Sequence, residues 1–591
     1  MYSRRIKIGI SVAIVALGYL FVVSPVYRLW RAEAALKPII TAARIDMAQK
    51  HEGRLLPLVG AAVGPLTTAH KALGWLTYVG WIPGIGKTYR SMAATVNSVY
   101  YISAGMWVLP LVSPHGSISP DATAFMHHVL DHWATLRHGL PAATGDFQKA
   151  EDALVAIDVK CLPVSLRPLG KDLRKAQPVL RGVVRMGPAV ANHIGMWATL
   201  LGVQKPARYL ILFQNSGELR ASGGLITAFG TVRVKDGHLG PVSPVDTAGF
   251  NVHSTIPAPF PFQHYFGQRI LSFENASANP DIPQTAQTVY ALLRHDHALP
   301  AVDGIIFVNT ALVDRLLALE GPLTIPSAVT NGAPVTLTAS NANVEMEYVA
   351  ERSGLPNATR KQFIGLVMHD LLHRAMATHA TALLGLARTL GAALQNKSLV
   401  LYLNPVPAEQ VMTQLGWAGN IPRHPAGDYL QVVDENLGGH KDNFFLQQSV
   451  RTALQTRGHH TIETTTITWT MPVVANGWLT VGYPGWVELY VPQGSHLLSM
   501  GGAGTVDDRA YVAQGVNKTV FAGTFYVPNK PAPSSPPEVR RMVIRYVLPA
   551  TVNPHRILVQ LQPGVPQQNL TVQWGNVVKS TRQTHDLTLV E

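Results

Sequence analysis

The sequence predicts a multidomain chain with four parts: an N-terminal transmembrane helix, a helical membrane-proximal stalk, an α/β/α layered domain and a C-terminal antiparallel β-sandwich. Three observations predict it. Residues 8–27 (IGISVAIVALGYLFVVSPVY) run without a charge. Between about 203 and 455, apolar runs of strand length alternate with helical patterns, as stacked α and β layers require. From Thr461 the apolar period drops to two, with Gly and Pro turns between short runs, as in a sandwich. At 591 residues the chain is also too long for one core.

Arg4, Arg5 and Lys7 precede the apolar run, which is long enough to cross a bilayer as a helix. A cleaved signal peptide would have a shorter apolar region and a nearer cleavage site than Ala32-Glu33-Ala34, which lies behind Arg28 and Arg31. The expectation is a tail over 1–7, an uncleaved anchor over 8–27, and the bulk of the chain on the extracytoplasmic side. The lipid bilayer is thus the first partner; no nucleic-acid partner is expected. The single cysteine, Cys161, excludes an internal disulfide framework and a thiolate-bound zinc or iron–sulfur site.

Residues 28–202 read as helices separated by Gly/Pro breaks. Over 55–120 the only charges are Lys71, Lys87 and Arg90. That stretch is either an apolar helical hairpin or, within 96–112, a second membrane or interfacial segment. Lys and Arg outnumber Asp and Glu over 31–200 by seventeen to ten, which would draw the stalk towards anionic headgroups or wall polymers.

The α/β part, placed over 203–455, begins with two facing strands, 209–213 and 225–234. Between them crowd Gln214, Asn215, Ser216, Glu218, Arg220 and Ser222, followed by Gly223 and Gly224. A polar cluster at the end of a buried strand is where open α/β sheets place ligand sites. Asp281 sits beside a helix start, as a cap or as a cation ligand. Further strands are expected at 303–308, 321–325, 399–403 and 428–433. No dinucleotide glycine fingerprint, phosphate loop, HExxH helix or GxSxG elbow occurs, which removes nucleotide hydrolysis, zinc proteolysis and the esterase mechanism.

The segments QN-x-x-ELR-x-x-GG (214–224), Asn279-Pro-Asp-Ile-Pro283, Val302-Asp-Gly-Ile305, Glu320-Gly-Pro322, Arg360-Lys-Gln-Phe363 and Asp434-x-Asn-Leu-Gly-Gly-x-Lys441 resemble the bacterial domain of unknown function 4012. More distantly, the order of parts is similar to the LytR-CpsA-Psr envelope phosphotransferases. Those enzymes move a glycopolymer from a polyprenyl-pyrophosphate carrier onto peptidoglycan at the outer face of the bacterial cytoplasmic membrane. The resemblance implies that Arg220, Arg352 and Arg360 clamp a pyrophosphate. It makes Mg²⁺ the only candidate cofactor, held at Asp281 or Glu218. The implied partners are a polyprenyl pyrophosphate-linked glycopolymer or peptidoglycan. The R-x-D-T segment and the R-D pair of those enzymes are replaced here by Glu218-Leu-Arg220 and Asp236-Gly237. Two functions therefore stand side by side: a binding protein for an envelope glycopolymer or its lipid-linked (pyro)phosphate, and a glycopolymer phosphotransferase.

The remaining residues, 456–591, carry the sandwich strands. Trp469, Trp478 and Trp486 are either core aromatics or a carbohydrate-stacking surface.

Overall fold

The computed structural model describes residues 22–591 except 49–54, 109–131, 204, 243–244, 248–249, 251–252, 296–300, 328–329, 331, 357–362, 364–365, 372, 375–382, 459, 503–508 and 514–515. Of the expected membrane span over 8–27, only 22–27 are described, and no described helix is long and apolar enough to cross a membrane. The chain divides into two compact units, Met1–Lys205 with Ala377–Leu383, and Pro206–Met376 with Leu384–Glu591.

The first unit is helical, as the Gly/Pro-punctuated pattern requires: α1 (Ser24–Ala48), α2 (Leu55–Trp75), α3 (Gly86–Val108), α4 (Trp133–Val155), α5 (Arg167–Asn192) and α6 (Ile194–Leu200). The nearly uncharged α3 packs in a helical bundle. Its buried Thr95 and Ser98 return their hydroxyls to the Ser91 and Ala94 carbonyls at 2.8 and 2.7 Å, which satisfies them without water. His70 Nδ1 meets Asn97 Oδ1 at 2.8 Å, joining α2 to α3. Small residues set the spacing: a Cβ on Gly105 would lie 3.0 Å from the Phe147 ring of α4. The alternative of a second span over 96–112 reaches beyond the described residues, which stop at Val108 before resuming at 132.

The second unit opens with a six-stranded sheet in the order β3-β2-β1-β5-β8, with β4 also on β2. These strands are β1 (Ala207–Asn215), β2 (Leu225–Lys235), β3 (His238–Leu239), β4 (Val245–Asp246), β5 (Gly304–Asn309) and β8 (Leu399–Leu403). A small ribbon of β6 (Leu323–Ile325) and β7 (Val335–Leu337) stands apart from it. Strand β1 is antiparallel to β2, parallel to β5, and β5 is antiparallel to β8. The alternation of strands and helices therefore produced a mixed sheet with one parallel pair. Asp303 sets that pair: its Oδ2 accepts the Arg208 amide at 2.8 Å, tying the start of β1 to the start of β5. One face packs Leu210, Leu212, Ile305 and Phe307 against α8 (Ile282–His295), after the short α7 (Phe260–Phe266). Helices α9 (Thr310–Glu320), α10 (Ala342–Glu347), α11 (Leu383–Gln395) and α12 (Val406–Leu415) complete this part.

The sandwich has two six-stranded sheets. One joins β13 (His496–Gly502), β16 (Glu538–Leu548), β11 (His460–Met471), β10 (Gln447–Arg457), β18 (Gln568–Trp574) and β19 (Val577–Gln583). The other joins β14 (Arg509–Ala513), β15 (Lys518–Val527), β12 (Tyr483–Pro492), β9 (Asp428–Asn436), β17 (Arg556–Gln560) and β20 (Leu587–Val590). Strand β9 and all but the last two residues of β10 fall within the span expected for the α/β part, 203–455. The sandwich in fact begins at β9, which pairs with β12 and β17. Every residue of β9 is buried. Its inner face joins the sandwich core and its outer face packs Tyr429 and Val433 with Ala221 and Ile421 of the α/β part. A strand covered on both faces reads like a buried α/β strand, so the boundary was displaced.

Candidate functional site

The turn after β1 is held by its own polar side chains. Asn215 Oδ1 accepts the Gly217 amide at 2.9 Å, closing an Asx turn. Gln214 Nε2 reaches the Ser222 carbonyl at 3.1 Å. Gly223 and Gly224 have φ of +132° and +148°, in the region that favours glycine. A Cβ on Gly224 would lie 2.2 Å from the Asn215 carbonyl oxygen. Gly224→Ala should therefore cost more than about 1 kcal/mol, measured as a lower midpoint of chemical unfolding; an unchanged midpoint would contradict this account of the turn.

Arg220, the central residue of the expected pyrophosphate clamp, is only 2% exposed. Its Nε donates to Asn275 Oδ1 at 2.8 Å, Nη1 to the Leu219 and Asn436 carbonyls at 3.0 Å, and Nη2 to Glu218 Oε1 at 2.9 Å. The Phe262 ring covers it at 5.5 Å. From the sandwich, Gln562 Nε2 binds both the Arg220 and Asp434 carbonyls, and Asn443 Oδ1 accepts the Leu219 amide at 3.1 Å. The QN-x-x-ELR-x-x-GG and Asp434-x-Asn-Leu-Gly-Gly-x-Lys441 segments thus bind one another. Together they buckle the sheet end to the sandwich. Sequence reasoning placed Arg220 at a ligand; the structure surrounds its guanidinium with protein acceptors.

Asp281 is likewise committed. Oδ1 accepts the Gln284 amide at 3.2 Å, capping α8, and Oδ2 accepts the Ile421 amide at 2.9 Å. Burial raises its pKa, opposed only in part by those two amides and by the Arg423 charge. Among the described residues no group of three or more His, Cys, Asp or Glu side chains could hold a metal ion. Both carboxylate oxygens of Asp281 are taken by backbone amides, as a helix cap requires. Arg360 lies outside the described residues.

One edge of the cluster remains open. Lys441 Nζ stands 3.2 Å from Glu218 Oε2, 3.8 Å from Glu347 Oε2 and 2.9 Å from Glu351 Oε1. Burial pulls the Lys441 pKa down, but these three carboxylates more than offset it and hold the ammonium above its ordinary value. Glu347 is nearly enclosed; burial, aided by the Glu351 charge and opposed by Lys441, pushes its pKa up to about 7. Asn215 Nδ2 donates to Glu347 Oε1 at 2.5 Å. Outside them, Tyr348 and Trp478 meet edge to face at 6.3 Å and the Arg352 guanidinium lies over Trp478 at 5.8 Å. Tyr348 is 46% exposed and the Glu351 side chain 42%.

Of the expected residues, the structure brings Gln214, Asn215, Glu218, Arg220, Gly223 and Gly224 into the buckle and Arg352 onto its open rim. Asp281 is elsewhere. The sequence assigns no site role to Lys441, Glu347, Glu351 or Tyr348, whereas Trp478 is one of the three tryptophans offered as a carbohydrate-stacking surface. The signal available was Glu347 and Glu351 one helical turn apart, and the lysine ending the second motif. Trp469 and Trp486 are core residues: Trp469 stacks on Phe525 at 3.8 Å and donates to Asp434 at 2.7 Å, and Trp486 donates to Glu488 at 3.2 Å.

This buckle and rim lie in and beside a region with a known family pattern. Residues 204–349 match the family described as protein of unknown function, DUF4012. The DUF4012 match covers β1, the turn after it and Glu347; Lys441 and Trp478 lie beyond it. No curated protein matches the chain. Among solved structures, protein gbs0355 from Streptococcus agalactiae aligns at 13% identity over 36% of this chain and 74% of its own, with a TM-score of 0.25. Lin1025 protein from Listeria innocua aligns at 12% identity over 36% of this chain and 80% of its own, with a TM-score of 0.19. Scores this low carry no argument about fold.

Proposed function

We propose that this chain is a membrane-anchored, extracytoplasmic cell-envelope protein that binds an envelope glycopolymer at the Tyr348–Trp478 rim. The observation that carries the reading is the contrast between the closed arginine and the open aromatic pair. Arg220 spends its donors on Asn275, Glu218 and two carbonyls, which favours binding over phosphotransfer through an arginine clamp. The rim offers what sugars need: an aromatic face for the apolar side of a ring, with Arg352 and the carboxylate of Glu351 beside it for hydroxyls or charges. The basic balance of the stalk and the uncharged run over 8–27 support a place at a membrane facing wall polymers. The phosphotransferase reading keeps only the order of parts as support.

The test is co-sedimentation of the detergent-solubilised full chain with isolated cell-wall sacculi. Trp478→Ala should weaken binding about tenfold, the equivalent of 1.4 kcal/mol, with an unchanged unfolding midpoint. Equal retention of both proteins would remove the rim from the account. Protease added to intact cells should digest the chain beyond residue 30; complete protection would reverse the sidedness.

A further inference from the structure

A second concave surface lies away from the buckle, among loops of the sandwich and the segment leading into β9. A cavity of about 280 Å³ is walled by 423–427, the turn at 492–493, Asn517–Lys518 and the turn at 551–553. No Asp or Glu lines it. Its deepest charge is Lys518, 1% exposed. The ammonium donates to the Pro422 carbonyl at 2.6 Å, Val516 at 3.3 Å, and Arg423 and Asn517 at 3.4 Å. It also lies 4.7 Å over the Tyr429 ring. Those bonds join the 422–423 wall to the 516–517 wall, so Lys518 shapes the cavity as well as charging it.

Among the described residues no carboxylate forms an ion pair with Lys518, so its positive charge is compensated only by carbonyl and ring dipoles. Burial lowers its pKa to about 8, which leaves it largely charged at neutral pH. Arg423 and His424 extend from the same wall into solvent, and among the described residues neither side chain has a hydrogen-bond partner. The other polar linings are the neutral amides of Gln493, Asn517 and Asn553 and the hydroxyl of Thr551, all able to donate. A buried cation compensated only by dipoles, an exposed guanidinium whose charge also acts on the Asp281 carboxylate outside the lining and an absence of lining carboxylates make this cavity electropositive, and small dianions are the ligands such walls attract.

We propose that this cavity is a phosphate-group binding site, with Arg423 as the ligand-touching cation and Lys518 as a positioning residue that holds its walls. The site shares no residue with the rim described above, so it stands whether or not the rim binds a glycan. A free phosphorylated polyol and a lipid headgroup present the same phosphate chemistry to Arg423.

The full chain in non-ionic detergent should be titrated calorimetrically with inorganic phosphate, glycerol 1-phosphate and dihexanoyl phosphatidylglycerol below its micelle concentration. Saturable binding of at least one probe is expected, weakened tenfold or more by Arg423→Glu, whose exposed position leaves the unfolding midpoint unchanged. The tightest of the three names the source. Binding of none, or binding that Arg423→Glu leaves unaltered, overturns the proposal. Lys518→Met serves as the second variant: it should lower affinity even where the wall loops keep their fold, scored by far-ultraviolet circular dichroism.

Discussion

Arg220→Ala is expected to destabilise the second unit by about 3–5 kcal/mol, the cost of removing one partner from a buried ion pair. The loss is large because one guanidinium serves several acceptors at once. Without it, Glu218 Oε1, Asn275 Oδ1 and the Asn436 carbonyl lose their guanidinium donor, and the Leu219 carbonyl keeps only the Asn436 amide. Glu435 is fully enclosed, and its pKa is raised well above the ordinary value by burial and by Glu488, with Arg220 the opposing charge. Removing Arg220 drives that carboxyl further towards its neutral form. Arg220→Lys should not restore stability, because a single ammonium cannot reach acceptors arranged around a planar fork. Urea unfolding of the full chain followed by tryptophan fluorescence measures both variants. A midpoint equal to that of the unaltered chain would mean that the buckle is not structural. Were Arg220 a ligand clamp instead, binding would fall while the midpoint stayed put.

The second large effect is a loss of stability as pH rises from about 4 to 7. Burial pushes Asp434, Glu347 and Glu409 up to about 7 and Asp314 up to about 6, all above the ordinary carboxylate range. In that window the folded chain keeps protons the unfolded chain has shed. The stabilisation is complete below the unfolded values and disappears as pH climbs through the folded ones. Asp428, raised well above its ordinary value by burial and the neighbouring Glu463, acts in the same direction. Lys518, lowered to about 8, has the opposite sign but acts only above this window. Asp434 is the group to isolate. It is 2% exposed, and its Oδ2 accepts Trp469 Nε1 and Gln448 Nε2, both at 2.7 Å. The urea midpoint should be higher at pH 5 than at pH 7.5. Asp434→Asn should flatten that dependence by about 1.4 kcal/mol per pH unit between 4 and 7. A midpoint that rises with pH would show that these carboxyls are charged in the folded chain.

Much of the architecture was legible because it is written in local periodicity. Strands β1, β2, β5 and β8 follow from their apolar runs, and the sandwich strands from alternation such as the buried-in, half-buried-out pattern of β11. The stalk helices follow from their Gly/Pro breaks. What periodicity could not decide was which partner a strand takes. Strand β9 has the character of an α/β strand, yet it pairs with β12 and β17, since cover on both faces hides the sheet to which it belongs.

The same limit governed the site. The density of polar residues after β1 marked a special place, and that follows from sequence: so many hydrogen-bonding groups beside a buried strand must be satisfied by something. Whether the partner is a ligand or another loop depends on contacts across more than two hundred residues, such as Glu218 to Lys441 and Arg220 to Asn436. By itself the sequence determined that Arg220, Glu218 and Asn215 act together at the end of β1. Only the tertiary structure decided that Arg220 faces inward, that Asp281 caps a helix, and that Tyr348, Arg352 and Trp478 meet at one rim. The physical reason is that burial and hydrogen-bond satisfaction belong to pairs of segments, and no single segment carries both halves.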